Sequence, residues 1–159
     1  MQLYHFTDPR NLESIRLFGL MSWQQLIQQD IGHFPGSDKD SRRIDARKCL
    51  ENYVHLCLFP EHSMAELAVK QKRIESFLWL TIDCSVIRIE TTQFSDQNAT
   101  ANAAIINHDP QTALASNNPR AEVLVEGSID LRWISFPSEV QPGILVKNDS
   151  INIVDPITF

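Results

Sequence analysis

Glu122 is the first residue whose type and position suggest chemistry. In the stretch RAEVLV it stands among strand-forming residues, with Ala121, Val123 and Val125 on the opposite face. An ordinary solvent-facing glutamate is the commoner explanation for such a residue. However, Glu122 directly follows the long polar segment 94–119, and catalytic groups concentrate beside loops that rigid strands carry. Glu122 is therefore a candidate catalytic residue.

The stretch KDSRRIDARK holds the chain's only local concentration of positive charge. Within it Arg43, or its neighbour Arg42, is a candidate for binding a pyrophosphate, because a planar guanidinium forms paired hydrogen bonds that a lysine cannot form. The alternative is a solvated helix face on which Asp40 and Asp45 alternate with the basic residues.

The opening stretch YHFT places His5 and Thr7 on one face of a predicted strand, because side chains two residues apart point the same way. That face either contacts water or holds a ligand. For His5 taken alone, a hydrogen-bonded strand histidine is the simpler interpretation.

The histidines and cysteines do not suggest a metal site. The five histidines are scattered, and Cys49, Cys57 and Cys84 form no CxxC motif. His55 and Cys57 share a strand face, but a third ligand is not evident. We therefore expect no metal and no disulfide framework, and the cysteine pattern fits a reducing cytoplasm.

The predicted elements that must position these residues indicate an α+β domain. The stretch QLYHF predicts a strand, and Asp8 and Pro9 then begin a helix that ends at Gly19. YVHLCLFP predicts a strand ended by Pro60, and FLWLTIDCSVIRIE predicts a buried strand that bends near Asp83. WQQLIQQ, SRRIDARKCLEN and SMAELAVKQKRI suggest helices, and AEVLVEG, LRWISF and GILVK suggest three further strands. This order favours antiparallel or mixed pairing within one domain, residues 1–159.

Composition narrows the possible functions. The net charge is −6, and residues 89–159 carry three basic and nine acidic groups, which disfavours a broad phosphate-binding surface. No glycine-rich phosphate-binding turn is present. No apolar run approaches the roughly 20 residues that span a bilayer, and the N-terminus lacks a signal-peptide pattern, so we expect no membrane association.

Several blocks of the chain together resemble the DarT group of bacterial ADP-ribosyltransferases. YHFTDPRNLESIRLFGLMS is similar to the family pattern YHxTxxxNLxxIxxxGLxS, and SRR followed by NYVHLCLFPEHSM is similar to RR followed by DYVPFYFxPRSPM. FSDQNATANAA stands where the family has a phenylalanine-threonine-aspartate segment, and RAEVLVEG is similar to the QAEFLV block. The blocks occur in family order over about residues 4–126.

The resemblance implies an ADP-ribosyltransferase-like fold, with two packed, mostly antiparallel β-sheets around an NAD cleft and peripheral helices. It implies NAD as co-substrate, with ADP-ribose transferred to a nucleobase. His5 and Thr7 match residues that hold the nicotinamide end of NAD, and Asn11 matches a residue near the ribose or phosphates. Arg43 matches the catalytic arginine and Glu122 the catalytic glutamate. Tyr53 matches a tyrosine that lines the pocket.

Departures from the pattern leave the acceptor open. His55 stands in place of the family's proline and His62 in place of an arginine, and the chain is shorter and less basic than the family. Single-stranded DNA is the leading acceptor, with RNA or a protein as alternatives, and a non-catalytic NAD- or nucleic-acid-binding domain is a further alternative. Because such an activity is toxic, the resemblance implies a macrodomain antitoxin as partner.

The polar segment 94–119 is the expected acceptor-reading loop. Its asparagines could hydrogen-bond base edges, and a splayed base could stack on Phe94 or Trp23. An ordinary flexible surface loop is the alternative.

Overall fold

The computed structural model describes residues 1–60 and 63–138, and within them short strands and helices alternate. The strands are β1 Gln2–Thr7, β2 Leu20–Met21, β3 Tyr53–Cys57, β4 Leu78–Asp83, β5 Gln93–Ser95, β6 Ile106–Asn107, β7 Glu122–Glu126, β8 Ser128–Ile129 and β9 Ile134–Ser135. The α-helices are α1 Leu12–Phe18, α2 Trp23–Gln28, α3 Lys39–Arg47, α4 Ser63–Lys70 and α5 Gln111–Leu114. Three 3₁₀ helices span Pro9–Asn11, Cys84–Arg88 and Leu131–Trp133.

Seven of these strands form one sheet in the order β6-β5-β7-β3-β1-β4-β9, and β2 pairs with β8 in a separate two-stranded sheet. The pairings described are antiparallel. β7 lies between β3 and β5, so that Glu122 is opposite Cys57 on one side and Ser95 on the other. The mostly antiparallel α+β architecture predicted from the sequence is therefore present.

The core packs mainly against one face of this sheet. Phe94, Val123 and Val125 belong to its largest buried cluster, together with Val54 and Leu56 of β3. A smaller cluster of Leu50, Ala99 and Leu124 is separate from it. Apolar residues at alternate positions of β7 therefore belong to two different clusters, and this strand is buried from both faces.

The first helical segment, from Pro9 to Phe18, begins and ends at the residues predicted from capping and backbone preferences. The Asp8 side chain accepts the Arg10 N–H, Pro9 occupies the first position, and the first turn is 3₁₀ before α1 begins. Gly19 ends α1 with φ +79°, a left-handed conformation that an L side chain rarely adopts, and its N–H donates to the Ile15 carbonyl.

Other elements differ in detail from the prediction. The predicted strand FLWLTIDCSVIRIE ends at Asp83, whose side chain accepts the Ser85 N–H and starts a 3₁₀ helix. The segment 94–119 contains parts of β5 and the whole of β6 and α5. The predicted strand GILVK and His62 lie outside the described residues. None of the described helices is long and apolar enough to cross a membrane.

Candidate functional site

A cavity of about 220 Å³ opens where β1, β3 and β7 meet α3 and the segments around residues 33–37 and 98–100. Five of the residues predicted from the sequence line it: His5, Thr7, Asn11, Tyr53 and Glu122. These residues come from positions up to 117 apart in the chain, and strand pairing brings them together.

Glu122 lies at the first position of β7 and is only 7% exposed. Two contacts converge on one of its carboxylate oxygens. Oε2 accepts the backbone N–H of Ala99 at 2.9 Å, and it lies 3.3 Å from Nδ1 of His55. A buried carboxylate requires such partners, and here they orient it along the cavity wall.

His5 connects to the same network through the backbone. Its Nδ1 lies 3.0 Å from the carbonyl oxygen of His55. Because a carbonyl can only accept, Nδ1 carries the proton, and Nε2 is an acceptor when the ring is neutral. Burial lowers the pKa of His5, which favours this neutral form at physiological pH.

Asn11 fixes the segment that borders the cavity. Its Nδ2 donates to Thr7 Oγ1 at 3.1 Å and to the Phe34 carbonyl at 2.9 Å, while its Oδ1 accepts the Phe34 N–H at 2.8 Å. The amide therefore links Thr7, at the end of β1, to the backbone of Phe34, which lies 23 residues after Asn11 in the chain.

Tyr53 lies on the cavity wall at the start of β3. Its hydroxyl oxygen accepts a hydrogen bond from Gln93 Nε2 at 2.9 Å. This contact joins the strand that carries the tyrosine to β5, the strand that begins the polar segment.

Arg43 is not brought to this cavity. Its side chain is 66% exposed and lies 3.4 Å from Asp40, an ion pair on the solvent face of α3. The same helix instead turns Ser41 and Asp45 toward the cavity, since residues four apart share a helix face. Neither Arg42 nor Arg43 is among the lining residues, so the assigned role of Arg43 stays a prediction.

Two site residues were missed by the sequence reasoning, Asp45 and His55. Both line the cavity, and His55 Nε2 lies 4.0 Å from Asp45 Oδ1. Burial raises the pKa of Asp45. Burial alone lowers the pKa of His55, but the hydrogen bond and charge of Glu122 and the charge of Asp45 outweigh it, so this pKa is raised. The sequence signal that could have identified His55 was its position on the same strand face as Cys57.

The segment after β5 reaches the cavity through Asn98 and Thr100. Lys48 holds this part of the chain, because its Nζ donates to the carbonyl oxygens of Ala99 and Ala101, each at 2.6 Å. Phe94 is 1% exposed and belongs to the core, so the prediction that a base could stack on it is wrong. Trp23, the other aromatic candidate, does line the cavity.

Within residues 1–60 and 63–138, no three His, Cys, Asp or Glu side chains are grouped as metal ligands would be. The cavity wall carries three histidines, two carboxylates, two asparagines and several hydroxyls.

Residues 4–118 match the family model described as "ssDNA thymidine ADP-ribosyltransferase, DarT". The comparison with curated proteins gives no match.

Three solved structures share the fold. Thermosipho africanus DarTG in complex with ADP-ribose superposes with a TM-score of 0.71 at 19% identity, over 84% of this chain and 42% of that one. Thermus sp. 2.9 DarT with ADP-ribosylated ssDNA gives 0.67 at 16% identity, and the same protein with carba-NAD+ gives 0.56 at 17%. These cover 84% of this chain and 78% and 79% of theirs. The expected ADP-ribosyltransferase-like fold is confirmed, and the chain spans less than half of the Thermosipho chain.

Proposed function

We propose that this chain, which belongs to the DarT family, transfers ADP-ribose from NAD to a nucleobase of single-stranded DNA and releases nicotinamide. The observation that carries the proposal is the buried Glu122 carboxylate, fixed by Ala99 and His55 in a cavity that His5, Thr7 and Asn11 also line. The Thermus relatives were solved with carba-NAD+ and with ADP-ribosylated ssDNA, which supports both substrates.

Glu122 would stabilise the reaction's charge. As the bond between nicotinamide and the ribose breaks, positive charge builds on the ribose, and a fixed carboxylate nearby stabilises that charge. The same group can accept the proton of the attacking base nitrogen. Ala99 and His55 restrict the orientation of the carboxylate before substrate binds. Electrostatic catalysis depends mainly on such preorganisation of charged groups.

His5, Thr7 and Asn11 would hold the NAD substrate. A neutral His5 offers Nε2 as an acceptor, suited to an amide N–H such as that of the carboxamide on nicotinamide. Tyr53 would contribute to the wall, and no metal is required because the leaving group departs as a neutral pyridine.

Glu122→Gln tests this assignment, because glutamine keeps the size of the side chain and removes its charge. We expect transfer to fall about 10²–10⁴-fold while the circular dichroism spectrum is unchanged. Glu126→Gln is the matched control, since Glu126 is an exposed glutamate at the other end of β7. Full activity in Glu122→Gln would remove the carboxylate from the mechanism.

Arg43 remains the proposed arginine for the pyrophosphate or the acceptor. In that role its side chain would leave Asp40 and turn toward the bound dinucleotide, since an arginine fork pairs better with phosphate than with one exposed carboxylate. Arg43→Ala should lower kcat/KM about tenfold or more, and Arg47→Ala, an exposed arginine on the same helix, should not. Equal activity in both variants would assign Arg43 to the solvated face.

The acceptor is tested directly with labelled NAD offered together with single-stranded DNA, duplex DNA, RNA or protein. We expect label in single-stranded DNA. Label in RNA or protein would keep the enzyme class and change the acceptor, whereas NAD binding without transfer would indicate a non-catalytic domain. A cytoplasmic location and a neutralising macrodomain hydrolase complete the proposal, since modified cellular DNA would be toxic.

A further inference from the structure

His55 stands between two carboxylates from different elements. Its Nδ1 lies 3.3 Å from Glu122 Oε2 on β7, and its Nε2 lies 4.0 Å from Asp45 Oδ1 on α3. The His55 side chain is about a quarter exposed, and both carboxylates are more deeply buried. The mechanism proposed above uses His55 only as a hydrogen-bond donor to Glu122, and it leaves Asp45 and the charge of the imidazole without a role.

We propose that His55 is a positioning residue that, as an imidazolium between Asp45 and Glu122, offsets the charge of the catalytic carboxylate and holds it in a fixed rotamer. This inference rests on the proposed function of Glu122. The family pattern has a proline at the position of His55, so the resemblance implies no role for this histidine.

The geometry favours the doubly protonated ring. If Nδ1 alone carried a proton, the lone pair of Nε2 would face the Asp45 carboxylate across 4.0 Å with no donor between them. Nε2 and Asp45 Oδ1 are both buried without a hydrogen-bond partner among the described residues. A proton on Nε2 gives both atoms an electrostatic partner, and buried charges persist when they are paired in this way.

The surrounding charges support the same state. The titratable groups packed around the imidazole and its two carboxylates are His5 on β1, Asp45 on α3, Lys48 and Glu51 after α3, Cys57 on β3 and Glu122 on β7. Burial lowers the pKa of His5 and raises that of Cys57, so both are neutral near pH 7. Burial lowers the pKa of His55, but the hydrogen bond and charge of Glu122, the charge of Asp45 and a backbone hydrogen bond with Leu50 together outweigh burial, so that this pKa is raised.

The charge on the ring has a specific effect on Glu122. Two carboxylates within reach of one imidazole would repel each other if the ring were neutral. The imidazolium offsets that repulsion, and Nδ1–H shares Oε2 with the Ala99 N–H. The carboxylate is thereby anchored through Oε2 from two directions, which fixes its orientation toward the cavity.

The inference is tested without using activity, by following the imidazole signals of the full chain by NMR from pH 5 to 9. The signal lost in His55→Gln identifies the ring. We expect its titration midpoint above the ordinary value of about 6.5, and lower in both Glu122→Gln and Asp45→Asn. Glu126→Gln, the exposed control, should leave it unchanged. A midpoint at or below 6.5, or one that neither substitution moves, would overturn the inference.

Activity then separates positioning from folding. In His55→Gln we expect kcat to fall at least tenfold with little change in KM for NAD, and the loss of activity at alkaline pH, where the ring gives up its proton, to disappear from the pH profile. Asp45→Asn, which leaves His55 intact, should lower kcat less. An unshifted profile in His55→Gln would contradict the role.

Failure of the two proposals is distinguishable. If Glu122→Gln retained activity but still lowered the His55 midpoint, the proposed function would fail while the coupling of the two side chains stood. If Glu122→Gln lost activity but His55 titrated normally, only the positioning role would fail.

Discussion

Lys48→Met should release the segment that contacts the catalytic carboxylate. The ammonium donates to the carbonyl oxygens of Ala99 and Ala101 at 2.6 Å, and the N–H of Ala99 donates to Glu122. Hydrogen bonds to charged groups contribute about 1.5–3 kcal/mol each. For a half-buried lysine that can rehydrate when the segment opens, we take about 2 kcal/mol for the pair, which corresponds to about 30-fold in the local opening equilibrium.

Hydrogen–deuterium exchange measures this opening directly. We expect the Ala99 amide to exchange about 30-fold faster in Lys48→Met, with strands β3 and β7 unchanged, and transfer activity to fall with it. Lys39→Met is the matched control, since Lys39 is exposed at the other end of α3. An exchange rate within about threefold of the wild type, or faster exchange throughout the sheet, would refute local anchoring.

Three further perturbations test other parts of the fold. Gly19→Ala should lower the free energy of unfolding by about 2 kcal/mol or more in urea denaturation, since φ is +79° and a Cβ would lie 2.5 Å from a backbone oxygen; Gly32→Ala, where no described atom lies within 4 Å, should have little effect. The hydrogen bond from Arg10 lowers the folded-state pKa of Asp8. The ionised Asp8 therefore stabilises the fold above about pH 4, and this stabilisation is lost as the pH falls through the lowered pKa. The difference in unfolding free energy between wild type and Asp8→Asn should accordingly shrink in acid. Asn11→Ala should raise KM for NAD about tenfold, as lost hydrogen bonds free the loop after α2, whereas an unchanged KM would exclude this role.

Local signals in the sequence were sufficient where short-range chemistry decides the structure. Asp8, Pro9 and Gly19 define the first helical segment by capping and backbone preference, and the structure follows them. Strand alternation likewise placed His5 and Glu122, because a period of two leaves few choices once one face is apolar.

The orientation of α3 could not be predicted in this way. Its sequence, KDSRRIDAR, contains one large apolar residue, Ile44, so that no continuous apolar stripe marks the buried face. Packing against the sheet turned Asp45 inward and left Arg43 in solvent. The pairing of Asp45 with His55 depends on that tertiary choice and has no local signature.

The segment 94–119 shows a second limit. Its strands, Gln93–Ser95 and Ile106–Asn107, have three and two residues, too few for a period of two to be recognised. From the sequence, Phe94 was expected to lie in a polar loop. In the structure it belongs to β5, which pairs with β7, and its side chain is buried in the core.

The contacts that secure residues 99 and 101 involve main-chain atoms of this segment. Glu122 accepts a backbone N–H, and Lys48 donates to two backbone carbonyl oxygens. Every residue type supplies a backbone carbonyl, and every type except proline supplies a backbone N–H. Substitutions at the neighbouring Asn98 and Thr100 therefore change side chains that line the cavity and leave these main-chain groups in place. Under the proposed function, the side chains that face an incoming substrate could then change separately from the contacts that hold Glu122.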